Sequence, residues 1–174
     1  EDFFGHCKTN LGDLFIICDG VGGLPKGDLA SKIIVETLLQ DFSKDSKNPQ
    51  KLLQSAIINA HNNIIKATDE LIGSTITAVY IENNTAYTTW CGDSRIYHFR
   101  NHNIKWISRD HNVLHDILNR GIGKLNDYKN PNAITRFIGS PKNHKTDDYL
   151  FQIKNNDYIL LCSDGLHDFI MEPD

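Results

Sequence analysis

The stretch Phe15-Ile16-Ile17-Cys18-Asp19-Gly20-Val21-Gly22-Gly23 constrains this chain more than any other. Phe15 to Cys18 read as a buried strand that runs straight into a carboxylate, followed by a glycine, one apolar residue and two more glycines. A chain leaving a strand in this way sets Asp19 at the strand's end, at the rim of a core, where side chains converge on ligands. The glycines permit positive φ and admit close approach of the backbone to an ion or phosphate. The pattern recurs where Tyr158-Ile159-Leu160-Leu161-Cys162 runs into Ser163-Asp164-Gly165. Two strands that each end in Asp-Gly bring two distant carboxylates to one point. Apposed carboxylates repel unless a proton or a cation lies between them, so the pair predicts a divalent metal.

The 174 residues fit one domain with a substantial core. A formal net charge of -4, with no stripe dense in Lys or Arg, argues against nucleic acid as a partner. No apolar run is long enough to cross a bilayer and the N-terminus carries no signal-peptide pattern, so a membrane is not expected as a partner either. Cys7, Cys18, Cys91 and Cys162 form no Cys-x-x-Cys pair, and three of them end apolar, strand-like runs. They read as small buried hydrophobes, not as a zinc site or disulfides, which suggests a reducing compartment and hence the cytoplasm.

In chain order, Glu1-Asp2-Phe3-Phe4 is either a fraying end or the remnant of a longer motif, and Asn10 to Asp13 read as a turn into the Phe15 strand. Ala30, Ile33, Ile34, Leu38 and Phe42 recur at helical spacing and predict a helix over Gly27 to Phe42. After a polar break at Lys44 to Asn48, Pro49 suits a helix start, and Leu53, Ala56, Ile57, Ala60, Ile64 and Ala67 predict a helix from about Gln50 to Leu71. His61 within it reads as a surface or satisfied residue and not as a ligand.

From Ser74 the period becomes that of strands. Thr75 to Glu82 and Thr85 to Cys91 form a hairpin at Asn83-Asn84, and Arg95 to Arg100 and Asn103 to Ile107 form another at Asn101-His102. Tyr87, Trp90, Tyr97, Phe99 and Trp106 at strand spacing read as core, not as a base-stacking platform. A helix capped in Asp110-His111-Asn112 is expected to end at Gly121, and Gly121 to Pro131 read as a loop or flap. Strands near Leu150 to Ile153 and over Asp157 to Cys162 then lead to Asp164, and His167 to Met171 would start another helix. Hairpins beside paired helices imply an α+β layered domain and not a doubly wound parallel sheet.

Asp19-Gly20-Val21-Gly22-Gly23 with Ala30-Ser31, Gly73-Ser74-Thr75, Gly92-Asp93-Ser94-Arg95, Asp110-His111 and Cys162-Ser163-Asp164-Gly165-Leu166 occur in one order and spacing. Together they resemble the metal-dependent serine/threonine protein phosphatases, the PPM or type 2C family, in its compact bacterial form. The resemblance implies a four-layer αββα sandwich of two antiparallel sheets flanked by helix pairs, with two Mn2+ or Mg2+ ions at one edge. It implies that Asp19 bridges both ions, that the Gly20 carbonyl binds one and that Asp164 binds the other. Glu1-Asp2 match the end of the family's Asn-Glu-Asp sequence, so Glu1 would contact a metal directly or through water and Asp2 would hold a metal-bound water. Asp93 with Asp164 is the candidate for a third ion.

The implied reaction is hydrolysis of phosphoserine or phosphothreonine on a protein by a metal-bridging hydroxide, opposing a Ser/Thr kinase. The implied partner is a phosphorylated protein, such as a kinase or its target, and the chain is expected to be a monomer. The chemistry suits the residues: a phosphate monoester needs an activated nucleophile and charge neutralisation, and oxygen-only donors favour Mg2+ or Mn2+ over zinc. The family's last metal aspartate has no counterpart before Asp174, its phosphate-binding arginine would fall upstream of Glu1, and Val21 stands where some eukaryotic members carry a histidine. The natural domain is therefore expected to extend beyond both ends of the sequence, and a catalytically impaired domain that binds a phosphoprotein or regulatory partner is the alternative. For Asp110 and His111, a helix cap and its packing partner is the plainer reading. Arg95 and Arg136 are either phosphate-attracting or paired structural groups, and the hydroxyls of Ser74 and Thr75 read as satisfying backbone near the site.

Overall fold

Residues 1–42, 48–120 and 129–169 are described by the computed structural model of the chain. Among them the elements run β1 (Phe3–Lys8), β2 (Gly12–Cys18), α1 (Gly27–Phe42), α2 (Pro49–Ala67), β3 (Ile76–Glu82), β4 (Thr85–Cys91), β5 (Arg95–Arg100), β6 (Asn103–Ile107), α3 (Val113–Arg120), β7 (Asp147–Gln152), β8 (Asp157–Cys162) and α4 (Asp164–His167). The strands form two antiparallel sheets, ordered β1-β2-β3-β4-β7 and β6-β5-β8.

Alternation along β2 and β3 decides which side chains meet which layer. Leu14, Ile16 and Cys18 of β2 and Ile76, Ala78 and Tyr80 of β3 face the helices, where Ala30, Ile34, Leu38 and Phe42 of α1 and Leu53, Ala56, Ala60 and Ile64 of α2 complete the larger core. Val79, Ala86 and Trp90 point the other way, into a second core between the sheets with Ile96, Phe151, Trp106, Ile159 and Leu161. Trp90 meets Trp106 edge to face at 5.4 Å in this second core and Tyr87 packs against the larger one, while Tyr97 and half-buried Phe99 stack on each other outside both clusters. The result is the α+β sandwich, with α1 and α2 as the outer layer over the five-stranded sheet.

The structure moves several boundaries. The chain's start is no frayed end: Phe3–Lys8 pair with β2 from Asp13 to Cys18, with Phe3 opposite Cys18 and Lys8 opposite Asp13. The β2 strand begins at Gly12, and Phe15 is 38 % exposed, stacked on His6 instead of buried. Helix α2 stops at Ala67, which is exposed, because Thr68 turns to extended backbone and its hydroxyl takes the Glu70 N–H. Its start is as expected, with Pro49 in the first turn and Asn48 accepting from Lys51 N. The cap of α3 is Asn112, whose Oδ1 accepts from His115 N, and not Asp110. Strand β7 begins at Asp147, three residues early. The last helical turn starts at Asp164, not at His167, because Ser163 already holds the extended conformation of a cap position. The expected break at Lys44–Ser46 and Lys47, the helix end at Gly121, most of the expected loop (121–128) and the helix continuation past residue 169 lie outside the described residues.

Two local devices fix where the Asp-Gly ends sit. At the end of β2, the carbonyl of Asp19 accepts from both Thr75 N–H and Ser74 Oγ, each at 2.8 Å, while Asp19 N–H donates to Thr75 Oγ1 at 3.0 Å. Thr75 Oγ1 is in turn 2.8 Å from Ser94 Oγ. At the start of β8, buried Asp157 receives Arg100 through two hydrogen bonds (2.6 and 2.7 Å) and His98 at 2.9 Å, which staples β8 to β5.

Two predictions follow from these devices. Thr75→Val keeps shape and strand propensity but strips Asp19 N–H and Ser94 Oγ of their partner, so it should cost about 1–3 kcal/mol in urea unfolding; an unchanged midpoint would show that the hydroxyl holds nothing. The Arg100 hydrogen bonds hold the Asp157 carboxyl below the usual carboxylate range. A lowered native value contributes stability that is fully present above the unfolded pKa of about 4 and lost as the pH falls through the native one. Asp157→Asn should therefore flatten the acid limb of stability against pH, measured by denaturation from pH 7 downward.

Candidate active site

At the strand end, Gly20 lies opposite Ser74 in an antiparallel bridge whose flanking bonds are Val21 N–H to Gly73 O and Thr75 N–H to Asp19 O. In such a pair the central residue's own N–H and C=O point away from its partner, so the Gly20 carbonyl is directed outward from Ser74. A Cβ on Gly20 would run into the backbone of Gly27, and one on Gly27 into the carboxylate of Glu1. These two glycines therefore let the strand end, the first residue of α1 and the N-terminal acid pack together.

The carboxylates gather at this corner from three parts of the chain. Glu1 is anchored by its carbonyl, which accepts from Ser31 Oγ at 2.7 Å. Asp2 accepts from Ser163 Oγ at 2.9 Å, joining the N-terminus to the residue before Asp164. Asp2 and Asp164 both lie close enough to Asp19 to act on its carboxyl. Burial first, then Asp2 and then Asp164, pushes Asp19 up to about 8. The ends of β2 and β8 thus meet although they belong to different sheets, because β8 lies against β2 and β3.

Asp93 sits beside this group in a pocket of about 230 Å³ that it lines with Asp110, Asp164, His167 and Asp168. Burial pushes its carboxyl up to about 6, opposed by its own backbone N–H and aided by the charges of Asp164 and Asp110. Arg95 also lines the pocket, but its Nε and Nη2 each donate to Asp110 at 2.8 Å, so it is a paired arginine. Arg136 likewise donates to Asp147 at 3.1 Å. His111 is buried beside Trp90, and Asp110 serves Arg95 where a helix cap was the expectation. His61 accepts from Gly139 N and stacks on His144, a satisfied side chain.

A divalent cation suits this donor chemistry. Asp2, Asp19 and Asp164 offer only oxygens, their like charges crowd one another, and oxygen-only sets favour Mg2+ or Mn2+. Among the described residues no three His, Cys, Asp or Glu side chains stand in a ready-made metal cluster. The fit is that of carboxylates assembled around Asp19 with a backbone carbonyl alongside, not a preformed side-chain cage.

Sequence reasoning missed Ser31, Ser163 and Gly27, which hold Glu1 and Asp2 in place. Ser31 and Ser163 lay inside quoted motifs, yet their bonds to an N-terminus 30 and 161 residues away leave no local signal. His167 was missed as well: its Nε2 is 2.9 Å from the Asp93 carbonyl.

Comparison with known proteins gives the chain's family. The Protein phosphatase 2C family profile matches residues 6–116. The chain is 28 % identical over 175 residues to the serine/threonine phosphatase stp of Listeria monocytogenes serotype 4b (strain F2365), covering 92 % of this chain and 69 % of that protein. It is 28 % identical over 182 residues to the protein phosphatase PhpP of Streptococcus pneumoniae serotype 2, covering 98 % and 74 %. The solved structure of the S. agalactiae serine/threonine phosphatase superposes with a TM-score of 0.87 at 24 % identity, over 97 % of this chain and 75 % of that one. The chain belongs to the protein phosphatase 2C family, as a protein serine/threonine phosphatase of the compact bacterial type.

Proposed function

We propose that this phosphatase is Mn2+- or Mg2+-dependent, hydrolyses phosphoserine and phosphothreonine on proteins and opposes a Ser/Thr kinase. The observation that carries the reading is the convergence of Asp2, Asp19 and Asp164 from the N-terminus, β2 and β8. Three carboxylates in such proximity call for positive charge, and two ions held there would supply an activated water and neutralise the phosphoryl oxygens.

In this reading Asp19, the outward Gly20 carbonyl, Glu1 and Asp164 would hold the two ions. Asp2, braced by Ser163, orients water beside Asp19. Asp93 and Asp164 together face a pocket for a third ion. Ser74 and Thr75 keep the Asp19 backbone fixed while its side chain carries charge. The substrate is a phosphorylated protein such as a kinase or its target, and the phosphatase acts in the cytoplasm as a monomer. Among the described residues no helix is long and apolar enough to cross a membrane.

The test is hydrolysis of p-nitrophenyl phosphate and of a phosphothreonyl peptide with Mn2+, Mg2+ or EDTA. Activity should require the cation, and Asp19→Asn or Asp164→Asn should lower kcat/KM roughly 1000-fold, the several kcal/mol that a metal clamp supplies. Full activity in EDTA, or an Asp19→Asn variant that matches the wild type, would reject the metal-dependent reading.

A further inference from the structure

The Asp93 carboxyl follows a glycine at φ +110°, where a Cβ would collide with the Thr75 side chain. A glycine pivot next to a charge that Asp164 and Asp110 repel is a poor anchor by itself. Two buried imidazoles from different elements grip its backbone. His111 donates its own N–H to Gly92 O at 2.9 Å and accepts Gly92 N–H on ring Nδ1 at 3.2 Å, so one residue engages both polar groups of Gly92. His167 Nε2 lies 2.9 Å from the Asp93 carbonyl.

Both rings have their protons placed by these contacts. An amide nitrogen only donates, so His111 Nδ1 is bare and Nε2 carries the proton, 3.3 Å from Asp147 Oδ2. Arg136 donates to the other oxygen of Asp147 at 3.1 Å, which holds that carboxylate in place. Burial and then the Arg136 charge push the His111 pKa down, which keeps the ring neutral. A carbonyl only accepts, so His167 Nε2 carries a proton. Its Nδ1 has no aligned hydrogen-bond partner, although Asp168 Oδ1 lies 3.2 Å away. His167 closes the helical turn that Asp164 opens, so its bond ties the Asp93 peptide to the Asp164 turn.

We propose that His111 and His167 are positioning residues that clamp the Gly92-Asp93 backbone and so hold the Asp93 carboxyl facing Asp164. This rests on the reading above that Asp93 and Asp164 share a cation. Between them the two residues engage both polar groups of Gly92 and the carbonyl of Asp93, so consecutive peptides at the pocket are held from two sides.

The experiment is Mn2+ binding to the whole chain, by calorimetry and by the EPR signal of free Mn2+, with thermal unfolding followed in parallel. Asp93→Asn defines which class of Mn2+ sites depends on Asp93. His111→Leu and His167→Leu should weaken that class roughly 10- to 100-fold, the usual effect of removing a group that supports a metal ligand. His111→Asn, which keeps an acceptor near the Nδ1 position, and His167→Gln, which keeps an N–H donor, should retain it near wild-type affinity. If the leucine variants do not fold, the Asn and Gln variants decide alone.

Wild-type affinity for that class in folded leucine variants would overturn the clamp. So would loss of the class in the conservative variants, or a wild type without an Asp93-dependent class. A wild type that binds no Mn2+ at all would instead overturn the metal-dependent reading on which the clamp rests.

Discussion

The site depends on holding like charges together, and the holding is done by backbone. Asp19 is fixed on its carbonyl by Ser74 and Thr75 and on its N–H by the Thr75 hydroxyl, so its side chain cannot relieve repulsion by moving the strand end. Asp2 and Asp164 then arrive on separate elements already tied to one another through Ser163. Electrostatic cost is thereby built into the fold, as expected where a protein prepares a cation site.

That arrangement needs the two-sheet architecture. β2 is an inner strand of the larger sheet, covered by α1 and α2, while β8 belongs to the smaller sheet and is stapled to β5 by Asp157. The core between the sheets sets their spacing, and the shared corner of the two layers is where both Asp-Gly ends emerge. Rigid strands carry the carboxylates, and the hydroxyls of Ser74, Thr75 and Ser94 satisfy the polar backbone behind them.

Much of this was legible in the residues. The change of period at Ser74, the helical spacing in Gly27–Phe42 and the hairpin at Asn101-His102, whose residues both take positive φ, are local signals that survived folding. What escaped was non-local. The start of β1 read equally as a fraying end or as the remnant of a longer motif, and only pairing with β2 makes it a strand. The polar run after Ala67 looked helical until Thr68 claimed its own hydrogen bond. At the site, Asp19 and Asp164 announced themselves by their glycines. Ser163, Gly27 and His167 did not, because their partners lie far along the chain. Asp110 was mistaken for a cap because the sequence does not reveal that Arg95 occupies it.

The most direct measurement is anomalous diffraction at the manganese absorption edge from crystals grown with Mn2+. The account predicts peaks within coordination distance of the Asp19 and Asp164 carboxylates, at the corner where β2 and β8 end. Well-ordered density at that corner with no anomalous signal, or manganese bound only elsewhere on the molecule, would contradict it.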